Sequence, residues 1–574
     1  MRLIYILFFI LSPFISSAQR QVRAEDKNYF QAPLQIPLLL SGNFGEVRNN
    51  HFHSGIDIKT QGKTGLKVYA PADGTVSRIK VSPYGYGLAL YIDHPNGYTS
   101  VYGHLNGYNK EISDFVKAHQ YQRESFAVDI AVPAGTFDIK QGEVIAFSGN
   151  TGGSGGPHLH FEIRDTKSEH PINPLLFNFD IKDSTPPVIK GLMAYPMTKN
   201  STINGKHQQQ SFKIDGRNGN YSLAPNEQIT ANGTIGLALY VQDFLNGSHN
   251  RCGIFENTLL VNNENIYTFR MDEFDFEDSK YVNSYIDYAY LVNNKIRYQK
   301  CFVDVNNKMP NFHSLKGQGT FSIQANDTSS INFVISDVHG NESLLKFNIL
   351  GERESEKTNS TNATSELCCF EPQEIKTPHA KATFSAKTFF TKVEINAFES
   401  EQSPFSLSPI IQIGSPEIAI HHNFKLEINA QNSIPKWGNQ TAIVLLDDKN
   451  EVSKYYPTQV KNNLLSAYVG ELGKFTLAID SIKPEIKALS IDNNQSLNNP
   501  KQINFKITDK QSGIASWRGE IDGEWVLFEY EYKQDKLFYI FDEKRLQLNK
   551  QHQLKLIVND ALGNSTTYEA SFFK

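Results

Sequence analysis

Three side chains near residue 160 have the types and spacing for metal chemistry. In the run from Gly156 to Ile163, His158, His160 and Glu162 alternate with Leu159, Phe161 and Ile163. That is a strand period, which sends every second side chain to one face. Two imidazoles two residues apart on one face can share a metal and the space in which it reacts. Upstream, His53 and Asp57 form an imidazole–carboxylate pair four residues apart, and Tyr102-Gly103-His104-Leu105 lies between the two. Three nitrogen or oxygen donors with histidines to spare are the inventory of an open catalytic zinc site.

Taken in this order, His53-x-x-x-Asp57, Tyr102-Gly103-His104-Leu105 and Gly156-Pro157-His158-Leu159-His160-Phe161-Glu162 resemble the LytM/lysostaphin-type zinc endopeptidases, which cut peptide cross-links in bacterial cell walls. The resemblance runs over residues 40–178. It implies an antiparallel β fold with an open groove over the metal, zinc ligands His53, Asp57 and His160, and a catalytic pair His104 and His158. Two imidazoles and one carboxylate leave Zn²⁺ with net positive charge and a fourth position for water. Such a metal lowers the pKa of that water from 15.7 toward about 7. The implied reaction is hydrolysis of peptide bonds in peptidoglycan stem peptides or cross-links by the zinc-activated water. The spare histidines would accept the water proton and stabilise the oxyanion or donate to the leaving amine; the sequence leaves open which does which. His51 competes with His53 as ligand from the same strand face, and His53 is preferred because Asp57 follows at the family's offset. His94, His119 and His170 fit no motif and read as surface residues, Tyr102 as packing and Arg48 as a solvated cation.

Other chemistries fail on context. Gly152-Gly153-Ser154-Gly155-Gly156 has the letters of a nucleophile elbow, but Pro157 and a strand-period run follow where a helix is needed. The same glycines lack the Gly-Lys-Ser/Thr ending of a phosphate loop, and no His-Glu-x-x-His occurs.

Short strands punctuated by turns must position these residues. Residues 75–81 and 88–93 read as strands, His94-Pro95-Asn96-Gly97 as a hairpin turn, and 98–105 as the strand carrying His104. Alternation there predicts Ser100, Tyr102 and His104 on one polar face. Residues 106–137 are less regular, with a short helix over 112–118 and a strand over 128–132. They form an insertion placed to shape a substrate wall. Residues 149–156 form a flexible glycine loop, which reads equally as a plain turn or as a place for close approach by a substrate backbone.

The chain has 574 residues, a formal net charge of −5, 38 Phe and 26 Tyr but only 5 Met. This length suits about three or four domains. The balance of charge gives no global basic field for nucleic acid, and aromatic, Asn- and Gly-rich composition favours strands and turns. The class expected is all-β and multidomain. Residues 1–18, with Arg2, an apolar run and Ser16-Ser17-Ala18, read as a signal peptide, so the protein is expected to be exported to periplasm, envelope or medium, with no transmembrane span after cleavage. The metallopeptidase domain takes 19–180, an immunoglobulin-like β-sandwich 183–350, a polar linker 351–370, a β-rich domain 371–479 and a second immunoglobulin-like sandwich 480–574. The two sandwiches share an opener, Asp183-Ser184-x-x-Pro187 and Asp480-Ser481-x-x-Pro484, and a closer, Asp337-x-x-Gly340-Asn341 and Asp560-x-x-Gly563-Asn564. Four cysteines allow three complete pairings, of which Cys252 with Cys301 is the simplest, and free thiols are the equal alternative; none has zinc-ligand spacing. Peptidoglycan peptides are the expected partner, and the β-rich tail offers surface to other envelope proteins. Two alternatives stand beside the enzyme: a non-catalytic scaffold that activates another wall hydrolase, and an adhesin-like surface β protein. The filled ligand positions argue against the first.

Overall fold

Alternating apolar and polar side chains build β strands through almost the whole chain, and among the described residues four large apolar cores gather them, with three smaller clusters beside these. The structure, a computed structural model, describes residues 22–353, 365–430, 438–461, 463–497, 501–542 and 544–574. The signal-like segment 1–18 and most of the polar linker lie outside the described residues. The all-β, predominantly antiparallel class expected from composition is the one observed.

The site-bearing unit is a 9-stranded sheet. Its main strands are β1 (Leu40–Gly42), β2 (Ile56–Lys59), β3 (Gly74–Val81), β4 (Leu88–Asp93), β5 (Tyr98–Leu105), β6 (Val128–Ala131) and β7 (His158–Asp165). They lie in the order β1-β2-β7-β5-β4-β3-β6. Strand β7 is central, antiparallel to β2 on one side and β5 on the other. Leu159, Phe161 and Ile163 point into a core with Ile56, Ile58, Leu90, Ile92 and Tyr102. Burying each such side chain stabilises by about 1.5–3 kcal/mol. A one-residue slip of β7 would exchange those three for His158, His160 and Glu162, so the core fixes which face the histidines occupy.

Helix α1 (Lys110–Arg123) is longer than the 112–118 expected. Asn109 caps it, its side chain accepting from Ile112 N at 3.0 Å, and Glu124 ends it in a left-handed conformation. Ile112, Val116 and Gln120 are its buried stripe. The extension is held by the C-terminal region, which packs on this helix. Trp525 meets Tyr121 edge-on at 5.0 Å, Arg545 lies over the Tyr121 ring, and Lys117–Asp542 and Arg518–Glu124 close ion pairs at 2.7 and 2.6 Å.

Beyond residue 187 a 13-stranded assembly is followed by two five-stranded sheets, then by a four- and a five-stranded sheet that close over one core. The first of these cores includes Phe44 and Phe52 from the peptidase side, packed on Phe274. All four cysteines are unpaired thiols: Cys252 and Cys301 are buried in different cores. Among the described residues no helix is long and apolar enough to cross a membrane.

Candidate active site

Cross-strand registry builds the centre. Asp57 on β2 sits directly opposite His160 on β7, and Gly103 on β5 faces His160 from the other side. Asp57 Oδ1 lies 2.9 Å from His160 Nδ1 and 3.0 Å from His53 Nε2, and the two nitrogens are 3.1 Å apart. All three side chains are buried. Their donor atoms thus converge on one point.

Backbone carbonyls settle the tautomers, because a carbonyl only accepts. Asn43 O takes the Nδ1–H of His53 at 2.7 Å, which leaves Nε2 as its donor lone pair. Thr151 O takes the Nδ1–H of His104 at 2.8 Å, and Gly156 O that of His158 at 2.8 Å. His158 Nε2 stands 3.4 Å from Asp57 Oδ1, and the His104 and His158 rings are 4.8 Å apart. Two imidazoles therefore flank the three donors with Nε2 unengaged by backbone.

Glu162 completes the face. It is fully buried and accepts from His160 Nε2 at 2.8 Å, Ser54 Oγ at 2.5 Å, Tyr86 OH at 2.5 Å and Arg164 Nε at 2.6 Å. Burial opposes its ionisation, but Arg164 and His160 hold its carboxyl well below the usual range. With Nε2 committed to Glu162, His160 has Nδ1 for a metal, and the partner fixes the ring's orientation. Asp57 is likewise ionised: burial is outweighed by His53, His158 and His160. Its Oδ2 receives Arg48 Nη2 at 2.7 Å. Gly42 makes that approach possible, since a Cβ there would come within 2.6 Å of Arg48 and 3.0 Å of Asp57 Oδ2.

The protonation states suit a metal. Burial pulls His53 down, so it is neutral. Without a metal, burial works against charge on His160, yet hydrogen bonds to Asp57 and Glu162 raise it to about 9; a proton then stands where a cation would. Burial first, then His160 and His158, pull His104 down to about 3.

Three expectations change. Ser100 and Tyr102 pair with Ile163 and Phe161 and face the core, not the cleft. His104 leaves their face because its backbone is left-handed, φ 58°, beside an irregularity in the β4–β5 register. Strict alternation would have buried it with Tyr102. Arg48 is no solvated cation, being tied to Asp57. His94 is buried, bonded to Asp73 O and Ser100 Oγ at 2.8 Å each. His51 is exposed and outside the cluster, while His119 bonds Phe115 O on α1 and His170 lies 3.4 Å from Asp275. Sequence reasoning did not assign roles to Ser54, Tyr86 or Glu162. The period-two pattern already placed Glu162 on the histidine face, whereas nothing local marks Tyr86.

Two loops wall the centre. Tyr86, from the β3–β4 loop, stacks on His160 at 5.1 Å. The glycine loop before β7 supplies the carbonyls that hold His104 and His158. The C-terminal region touches both: Tyr532 packs on Tyr84 at 5.0 Å, and Lys533 Nζ donates to Asn150 O and to Ser154 O.

Residues 51–121 and 127–174 match the profile of peptidase family M23. This part of the chain is an M23 peptidase domain. Residues 367–480 match a Zu5-like domain. The chain is 33% identical over 155 residues to an uncharacterized metalloprotease of Haemophilus influenzae, covering 26% of this chain and 27% of that protein. It is 35% identical over 123 residues to the DD-carboxypeptidase/endopeptidase Mpg of Neisseria meningitidis, covering 21% and 22%, and 33% identical over 111 residues to the peptidoglycan DD-endopeptidase ShyB of Vibrio cholerae, covering 19% and 20%. The chain spans about a quarter of the length of such curated relatives. Among solved structures, the catalytic domain of lysostaphin from Staphylococcus simulans aligns at 24% identity and TM-score 0.19, over 24% of this chain and 91% of that one. His53, Asp57 and His160 of this domain form a buried group that could hold a metal ion, each offering one donor atom within reach of the others.

Proposed function

We propose that the chain is an exported zinc metalloendopeptidase that hydrolyses peptide bonds in peptidoglycan stem peptides or cross-links. The observation that carries this reading is the convergence of His53 Nε2, Asp57 Oδ1 and His160 Nδ1 within 3.1 Å, flanked by two further imidazoles. Relatives named as peptidoglycan DD-endopeptidases support the substrate class.

His53, Asp57 and His160 would hold the ion: two neutral nitrogens and one carboxylate suit Zn²⁺. A bound zinc supplies Lewis-acid polarisation of the scissile carbonyl and acidifies water. The chain's own residues do the rest. Neutral His104, with Nδ1–H fixed on Thr151 O, presents Nε2 to take or return a proton. His158, fixed on Gly156 O, presents Nε2 on the other side. Such a positioned acid–base group is worth about 10²–10⁴-fold in rate. Glu162 and Arg48 keep His160 and Asp57 aimed. The glycine loop and the Tyr84–Tyr86 loop border the approach, where an extended peptide would lie.

Digestion of defined cross-linked muropeptides by the zinc-loaded protein, read by mass spectrometry, tests the proposal. New stem-peptide termini, lost on removal of zinc, are expected. Intact muropeptides together with tight binding to another wall hydrolase would replace it with the scaffold reading.

A further inference from the structure

Three aspartates meet where the M23 domain joins the first sandwich. Asp183 lies in the connection, Asp243 follows the strand Ile229–Gln242, and Asp337 follows the strand Thr328–Ser336. All three line one cavity of about 10 Å³, whose walls also include Asn43 and Phe44 of the M23 domain. That is room for a single water or ion. Oxygens of Asp183 and Asp337 lie within 4.8 Å of one another, with a ring nitrogen of exposed His339 at the same range. Asp243 is only 2% exposed, and its Oδ1 has no hydrogen-bond partner. Asp183 Oδ2 is buried and unpartnered too. A buried carboxylate oxygen left unmet is costly unless a cation answers it. Burial, then the charges of Asp337 and Asp183, push Asp243 up to about 8.

The arrangement recurs. In the C-terminal sandwich Asp480 opens the domain, Asp509 follows the strand Gln502–Thr508 and Asp560 ends the strand Gln551–Asp560. Here oxygens of all three aspartates lie within 4.8 Å of one another, where the first joint has Asp183, Asp337 and His339 at that range, and Asp509 Oδ2 is buried without a partner. This trio sits on a joint as well: Gln511 bonds Tyr455 OH across it at 3.2 Å.

We propose that Asp183, Asp243 and Asp337 bind one hard divalent cation of the calcium class, which clamps the joint between the M23 domain and the first sandwich. Carboxylate oxygens from three separated segments suit Ca²⁺, which accepts flexible oxygen shells, whereas Mg²⁺ demands stricter geometry and keeps its waters. A borderline-soft metal would instead draw on the imidazole of His339. The ion would tie the connection to two strand ends beside Asn43, whose carbonyl orients His53.

The test uses the full chain, stripped with a chelator and reloaded with zinc. Equilibrium dialysis against radioactive calcium compares the wild type with Asp243→Asn and Asp337→Asn, and anomalous diffraction from calcium-grown wild-type crystals locates the ion. The expected result is one calcium fewer per chain in each variant, a smaller calcium-induced rise in melting temperature, and anomalous density in the cavity. Variants that bind as much calcium as the wild type overturn the proposal, as does an empty cavity in wild-type crystals, which decides even if both variants fail to fold. Zinc binding there that is lost in His339→Ala overturns it too.

Discussion

The M23 cluster and the aspartate trio at the joint both gather donors around a point, but their charge is answered differently. Around Asp57 the protein supplies every counter-group: Arg48 on Oδ2, imidazoles on Oδ1, and Glu162 with Arg164 one layer out. Around Asp243 the nearest charges are Asp337 and Asp183, which repel it, and buried oxygens lack partners. A cluster that answers its own charge needs nothing further from solution to balance it. One that does not is built to be closed by something from solution.

Five experiments would break or sharpen that contrast. The largest effect is expected from removing a donor. Asp57→Ala should abolish metal content and activity together, and it should lower stability because partly buried Arg48 then keeps only Glu46, at 3.3 Å, as a carboxylate partner; metal analysis beside a melting curve reads both. Next, His104→Ala should retain the metal and lose about 10²–10⁴-fold in kcat. Equal metal loss in both variants would erase the division between ligand and proton carrier. Glu162→Gln should keep the fold while weakening metal affinity by about 10–100-fold, read by competition with a chromophoric chelator.

The fourth concerns pH and separates the clusters by sign. Asp243 is raised in the folded chain, so in calcium-free protein its contribution is fully present below the unfolded carboxylate pKa and fades as pH rises toward about 8. Asp57 is depressed, so its contribution is present above the unfolded value and fades as pH falls. Urea unfolding at pH 5 and pH 8 should show a smaller loss on alkalinisation in Asp243→Asn than in wild type. A matching loss in both would remove the repulsion from the account. The smallest effect is expected from Lys533→Ala, which should shift KM for a long cross-linked substrate several-fold while leaving metal content alone, because Lys533 touches the glycine loop and no donor.

The strand period from His158 to Ile163 is visible in the letters, and the structure keeps it, because burial of Leu159, Phe161 and Ile163 allows one register only. The all-β class was legible for the same reason. His104 was not: its position depends on one left-handed residue and a register shift in the neighbouring strand, which no periodicity encodes. Arg48 and His94 were misread as solvated because their partners, Asp57 and Ser100, reach them only through tertiary pairing. The full length of α1 escaped as well, since its last turn is held from outside the helix: Tyr121 packs on Trp525 some four hundred residues downstream, and Arg123 donates to Asp129 O.

Phe44 and Phe52, adjacent to Asn43 and His53, are rooted in the core of the neighbouring sandwich. A fragment cut after residue 181 would strip both phenylalanines of their cover and loosen the ledge on which His53 hangs. An excised M23 domain would report on a disturbed cluster, and its silence would say nothing about the intact protein.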